Sequence, residues 1–286
     1  MSDTILQEGQ RRKDGAGKPE TAASARVRIR TVALPTEHGG WGLMLEPVAL
    51  GLLVAPSLAG SFLAVATLGA FLARHPFKVL SGDRRRGRRF PRTVVAERFA
   101  LLYACLALAG LLAATATAVS YQFILPLFLA APFAAVQLAF DAKGQSRALA
   151  PELAGSFGLA AVSTSIALAD GWPLPLAFGL WAILASRIVP TILYVRARLQ
   201  LKHGETPHLS PVYLTHVCAL VVVAALALLK VAPLLVVSAM LVLLLRAACG
   251  FSETAQRASA KQIGIRELAY GAMTVLAIAA GHLLAL

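Results

Sequence analysis

The chain has 286 residues; 58% are hydrophobic and 14% charged, and the net charge is +13. Soluble domains carry about a quarter charged residues, so this composition, with a mean hydropathy of +0.71, excludes an ordinary water-soluble globule and a disordered chain and points to several membrane spans. The positive excess fits either nucleic acid or the cytoplasmic flanks of membrane helices, and the positions of the basic residues decide between them.

Residues 1–33 are polar, with seven basic residues from Arg11 to Arg30, and no apolar signal-peptide core follows them directly. They read as a disordered, basic cytoplasmic tail, leaving 34–286 as a transmembrane helical domain. Nine apolar stretches follow, near 41–56, 57–73, 99–119, 121–140, 153–170, 172–195, 211–229, 231–249 and 267–286. A spanning helix needs about 20 mostly apolar residues, and these stretches approach or meet that length. Leu, Ala and Val dominate without strand-like alternation, which argues against a barrel. The predicted fold is all-α: a polytopic bundle of about nine helices. The first two spans read as short, separated by a tight turn at Pro56–Ser57. Cys105, Cys218 and Cys249 are widely spaced and read as small apolar packing residues rather than a disulfide or zinc framework.

The connections alternate. Those after spans one, three, five and seven are very short, whereas those after two, four, six and eight are longer and basic. Of 27 Lys and Arg residues, 26 fall on the side of the tail and the long connections, with Lys230 alone opposite. The positive-inside rule then puts the N-terminus in the cytoplasm and, with nine spans, the C-terminus outside, as expected of a bacterial inner-membrane protein. Thirteen of 14 acids and five of six histidines also lie on or near the basic side, so a polar site is expected to open there. This sorting by side, without interleaved aromatics on a soluble face, excludes nucleic acid as a partner.

Four clusters carry candidate chemistry. At the entry to span one, Glu37, His38 and Trp41 crowd the interface, and Glu46 lies about a turn inside. An ionisable residue within a span costs roughly 2.5–3.5 kcal/mol on insertion scales, so it usually faces a partner or a cavity. At the end of span two, Arg74, His75 and Lys78 are placed to clamp a phosphate, since Arg74 and Lys78 share a helix face. The run from Arg84 to Arg89 serves orientation and anionic headgroups, and Glu97 and Arg98 are placed to pair with this cluster. The third cluster holds Asp141 and Lys143, with Glu152 opening span five. The fourth comprises Arg187, Arg196, His203 and Glu205. Arg187 lies about two turns deep beside Pro190, and its structural alternative is an ion pair with Glu46, Asp141 or Glu152. Arg74-His-Pro76 and Arg187-Ile-Val-Pro190 end spans four apart, a hint of two four-helix repeats. No phosphate-binding Gly-rich loop, nucleophile elbow or zinc-protease motif is present.

The entry Pro35-Thr-Glu-His-Gly-Gly-Trp-Gly42, the span end Arg74-His-Pro76 and the region from Ser186-Arg187 to His203-Gly-Glu205 resemble the YwiC-like family of bacterial membrane proteins. The resemblance extends over most of the chain from residue 34, and it implies no established activity. The layout is more distantly similar to UbiA-type intramembrane prenyltransferases, which have nine helices, a cytoplasm-facing cavity and two Asp-rich motifs for Mg²⁺-diphosphate. Here only Asp83 and Glu205 stand where those motifs would be, so the metal-binding residues do not carry over, and Arg, Lys and His replace them. What the likeness implies is a membrane protein with a cytoplasm-facing cavity for an anionic or lipid-linked substrate, surrounded by membrane lipids and acting as a prenyl or related lipid transferase. In that expectation Arg74, Lys78, Asp141, Lys143, Arg187, Arg196, His203 and Glu205 bind substrate, and Glu37, His38, Glu46 and His75 supply acid–base groups. No cofactor is identified. The alternatives are a permease for a small anion or lipid, and a non-catalytic assembly subunit.

Overall fold

The computed structural model describes residues 29–35, 38–252 and 258–284. Over these residues it is helical, without strands. The helices are α1 (Ile29–Ala33), α2 (His38–Val54), α3 (Leu58–Arg85), α4 (Pro91–Thr117), α5 (Ile124–Ala142), α6 (Leu149–Ala169), α7 (Leu174–Lys202), α8 (Ser210–Leu228), α9 (Leu235–Cys249) and α10 (Ala260–Leu283). A 3₁₀ turn at Tyr121–Phe123 leads into α5. Helices α2 to α10 correspond one to one with the nine apolar stretches. The helical turn α1 lies within the segment expected as tail and buries Val32 and Ala33.

Among the described residues seven helices, α3 to α8 and α10, are long and apolar enough to cross a membrane. The short pair differs from the sequence expectation. It is α2, with 17 residues, and α9, with 15. At ~1.5 Å per residue they reach about 25 Å and about 22 Å, against ~30 Å of hydrocarbon. Span two is part of the 28-residue α3, which passes through Pro76 and continues to Arg85. Most of the basic 74–98 connection is therefore helical, leaving only 86–90 between α3 and α4. Hydropathy falls where Arg and Lys begin, but these residues are good helix formers, so the helix outruns its apolar part. The same holds for α7, which continues past Pro190 to Lys202.

Helix α6 is the centre of the bundle: it is the most buried of the long apolar helices described, and it packs on α2, α3, α5 and α7. Its small and hydroxylated sequence permits this, because small residues let helices approach closely in lipid. The Ser156, Ser163 and Ser165 hydroxyls donate to carbonyls of their own helix, and Thr164 donates to the Ala177 carbonyl of α7 at 2.8 Å. On one side lie α3, α4 and α5. On the other, α7, α8, α9 and α10 follow in sequence, and α10 returns to α2, closing a ring with α6.

Contacts define the two ends of the bundle. At one, the α4 and α6 termini meet through a Val119 N–H to Ala169 carbonyl bond, and Trp172 stacks edge-on to His282. At the other, the basic residues of α3, α7 and the longer connections gather. The outward faces of α4, α5 and α8 are apolar, with Leu101, Leu108, Phe128, Leu214 and Val221 exposed as a lipid-facing surface requires. The three cysteines are exposed. Cys105 and Cys218 lie on the apolar helices α4 and α8, and Cys249 ends α9 beside a cavity described below.

Candidate functional site

Arg187 of α7 is buried inside the ring of helices, 3% exposed. Its Nη1 donates to Glu46 Oε2 of α2, joining the first and sixth apolar stretches. Each partner stands beside a helix-internal proline, Pro47 or Pro190. A proline has no N–H to give the carbonyl four residues earlier, so polar groups concentrate at this level in both helices. A glycine on a third helix makes room: a β-carbon at Gly271 of α10 would overlap the Glu46 carboxylate and stand 3.1 Å from Arg187 Nη2. The Nε of Arg187 and the hydroxyl of Thr191, one turn along α7, are buried without a hydrogen-bond partner among the described residues.

A second pair continues the first. Arg246, in the last turn of α9, donates through Nη1 to Glu267 Oε2 of α10. Its Nη2 lies 3.0 Å from His216 Nε2 of α8, while His216 Nδ1 lies 2.7 Å from the Val212 carbonyl. These partners assign the tautomer: Nδ1 carries the proton and Nε2 accepts from the guanidinium. The Arg246 guanidinium also sits 4.1 Å from the centre of the Tyr194 ring and 5.3 Å from that of Tyr270, within the reach of cation–π attraction. Glu267 feels Arg187 and Arg198 as well as Arg246, and Glu46 in turn feels Glu267. Five helices thus supply one polar network inside the ring, made of two hydrogen-bonded groups within electrostatic reach of each other: Glu46 with Arg187, and Arg246 with Glu267 and His216.

The network borders a cavity of about 150 Å³, lined among others by Tyr194, Arg198, Arg246, Arg266, Glu267 and Tyr270. Arg198 donates to the Tyr194 hydroxyl at 3.1 Å and to the Gly250 carbonyl at 2.6 Å, fixing the wall between α7 and α9. Three guanidinium groups face one carboxylate, and the Nε of Arg246 is buried and unpartnered. Among the described residues no three His, Cys, Asp or Glu side chains converge as a metal cluster would; guanidinium groups and tyrosines converge instead.

The other candidates lie outside this network. Arg74 of α3 grips the buried Asp141 of α5 with two bonds, Nε to Oδ2 at 2.6 Å and Nη2 to Oδ1 at 3.0 Å. His75 Nε2 lies 3.0 Å from the Thr31 carbonyl of α1. Lys78 borders a shallow groove formed with residues 144–148, and Lys143 is exposed at the end of α5. Arg196 bonds Glu152 at 2.9 Å and the Arg147 carbonyl at 3.1 Å, tying α7 to the start of α6. His203 and Glu205 are exposed beyond α7. Glu97 pairs with Arg89 at 2.6 Å, while Asp83 takes Arg92 at 2.5 Å and the Thr93 hydroxyl at 2.8 Å. Glu37 and the side chain of His38 fall outside the described residues.

The structure therefore brings Glu46 to Arg187 and Arg74 to Asp141 as two separate clusters, and adds Arg246, Glu267, His216 and Tyr270 to the first. Sequence reasoning missed these four. Arg246 reads as an orientation charge, and Glu267 reads as the edge of the last span because its apolar run starts there. Helix α10 begins at Ala260, so Glu267 lies two turns inside it.

Residues 34–169 match a protein family described as YwiC-like protein. No curated protein and no solved structure matches the chain. Glu46, Arg74 and Asp141 lie within the matched stretch, and Arg187, Arg246 and Glu267 beyond it.

Proposed function

We propose, for a chain that is YwiC-like over residues 34–169, that this membrane-spanning helical bundle takes the anionic group of a lipid or lipid-linked substrate into the cavity between α7, α9 and α10, from the cytoplasmic side. One observation carries this reading: Arg198, Arg246 and Arg266 line that cavity against the single carboxylate of Glu267. Guanidinium groups present planar, always charged donors suited to phosphate and carboxylate. Arg198, Arg246 and Arg266 meet the anion, while Arg187 and Glu46 brace the network behind them. The apolar remainder of the substrate lies along the lipid-facing helices. The reaction class that fits such a substrate is transfer of a prenyl or related lipid group; the nine-helix layout supports it by analogy of architecture.

The test is retention of lipid. Native mass spectrometry of the detergent-purified full chain should show one anionic lipid or phosphorylated species bound per chain. Arg246→Met, or Arg198→Gln where the first variant does not fold, should lose it. Wild-type retention by a folded variant would overturn the assignment.

A permease for a small anion is a second reading, favoured by a specific feature. The two helices too short to span, α2 and α9, each contribute a charge to the network, and interrupted or short helices often mark transport sites. Flux of a test anion into proteoliposomes, absent with Arg187→Met, would support it.

A further inference from the structure

Arg246 is already engaged. Its Nη1 binds Glu267, its Nη2 binds His216, and its faces lie against Tyr194 and Tyr270, leaving only the buried Nε unpartnered. An anion entering the cavity therefore meets a guanidinium whose accessible edge holds a carboxylate. Two anions cannot share that edge without strong repulsion in a site shielded from water. Of the other guanidinium groups described near Glu267, Arg187 is held by Glu46, Arg198 donates to the Tyr194 hydroxyl and the Gly250 carbonyl, and Arg266 is an exposed residue of the cavity lining that the incoming anion also meets. A carboxylate displaced from its partner in such surroundings is costly as an anion and inexpensive as a neutral acid.

We propose that anion binding in this cavity is coupled to a proton: the anion replaces Glu267 on Arg246, and Glu267 leaves as the neutral carboxylic acid, having taken one proton from the aqueous side on which the cavity opens. This rests on the anion-binding reading above and gives it a regulation. The balance is simple. One anion and one proton enter together, one ion pair exchanges its acid member, and no covalent bond to carbon changes. The ligand class is a tetrahedral oxyanion, free or as a lipid headgroup. Among the described residues, the charged and titratable groups around Glu267 are Arg246 and Cys249 of α9, Arg187, Arg198 and Tyr194 of α7, Glu46 of α2, and Arg266 and Tyr270 of its own helix, with His216 of α8 acting through Arg246.

Sulfate is the appropriate probe, because it does not titrate between pH 6 and 8. Its binding to the full chain in phosphatidylcholine nanodiscs, measured by equilibrium dialysis with labelled sulfate, should weaken about tenfold per pH unit as pH rises, the slope that linkage gives for one proton. Glu267→Gln, which copies the neutral acid, should bind sulfate with a pH-independent Kd at least as tight as that of the wild type at pH 6. The wild-type slope needs no variant, so a misfolded Glu267→Gln leaves the test intact. Saturable sulfate binding without a pH slope overturns the coupling and leaves the anion site standing. A slope that persists in Glu267→Gln assigns the proton to another group, such as His216 or Glu46, and also overturns it. Absence of saturable binding at any pH overturns the anion-binding reading itself. Soluble competitors in phosphatidylcholine nanodiscs identify the source, because an anionic bilayer would itself repel sulfate. Glycerophosphoglycerol displacing sulfate at concentrations where inorganic phosphate does not supports a lipid headgroup as the coupled anion, and the reverse order supports a free oxyanion.

Discussion

Glu46 and Arg187 are 141 positions apart in the chain and form one ion pair. Such a pair gains little net stability over well-packed apolar residues, but removing one member leaves a buried charge without a partner, at a cost of roughly 3–5 kcal/mol. Arg187→Ala should therefore lower the thermal midpoint sharply, whereas the double variant Glu46→Gln with Arg187→Met should recover most of it, as measured by unfolding in detergent. A double variant no more stable than Arg187→Ala would show that the pair is not the cause. Gly271 offers a cleaner probe, since it changes no charge. A β-carbon there collides with the Glu46 carboxylate, whereas one at Gly264, two turns earlier on α10, meets nothing within 4 Å. Gly271→Ala should cost about 1–3 kcal/mol by overpacking, and Gly264→Ala should be neutral or slightly stabilising. Glu46 and Arg187 were legible in the sequence because each is an ionisable group within an apolar run, and their pairing was among the alternatives for Arg187. Glu267 was not legible: Lys261 and Arg266 beside it disguise the first turns of α10 as a polar connection.

At the level of elements, helix count and order were readable from hydropathy, and helix ends were not. Hydropathy reports where lipid ends, whereas the backbone continues wherever hydrogen bonding and propensity allow. That difference accounts for α3 and α7 running into segments that read as loops. It also hid the α3–α4 contact, which depends on two glycines that hydropathy does not weigh. A β-carbon at Gly69 would stand 2.6 Å from the Ala107 backbone nitrogen, and one at Gly110 would stand 2.7 Å from the Ala66 backbone nitrogen. Backbone cannot yield as a side-chain tip can, so Gly69→Leu or Gly110→Leu should separate the hairpin and abolish folded yield, read as loss of the monodisperse peak in detergent chromatography. Arg74 joins the same hairpin to α5 through Asp141. Because Asp141 is buried and gripped by two bonds, Arg74→Ala should destabilise by roughly 3–5 kcal/mol. Arg74→Lys should restore only part of this, since an ammonium lacks the planar fork. If Arg74→Lys is instead fully stable yet loses bound anionic lipid, Arg74 serves the substrate rather than the fold.

Across the whole molecule, α6 separates two polar clusters. Arg74 and Asp141 lie on the α3–α5 side, and the Glu46-to-His216 network lies within the ring of α2 and α7 to α10. Both belong to the end where the basic residues of α3, α7 and the longer described connections gather, so orientation in the membrane decides which compartment either can serve. The positive-inside rule assigns that end to the cytoplasm, and the turn bearing Lys230 to the opposite face. Cysteine accessibility tests this directly, on a background with Cys105, Cys218 and Cys249 replaced by alanine; all three are exposed, and Cys249, which borders the cavity, loses only its thiol. In intact cells Lys230→Cys should react with a membrane-impermeant maleimide, and Arg88→Cys, between α3 and α4, should react only after permeabilisation. The reverse pattern would turn the bundle over. The cavity beside Arg246 would then draw its anion and its proton from outside the cell, and the charge excess would stand against the usual distribution rather than explain it.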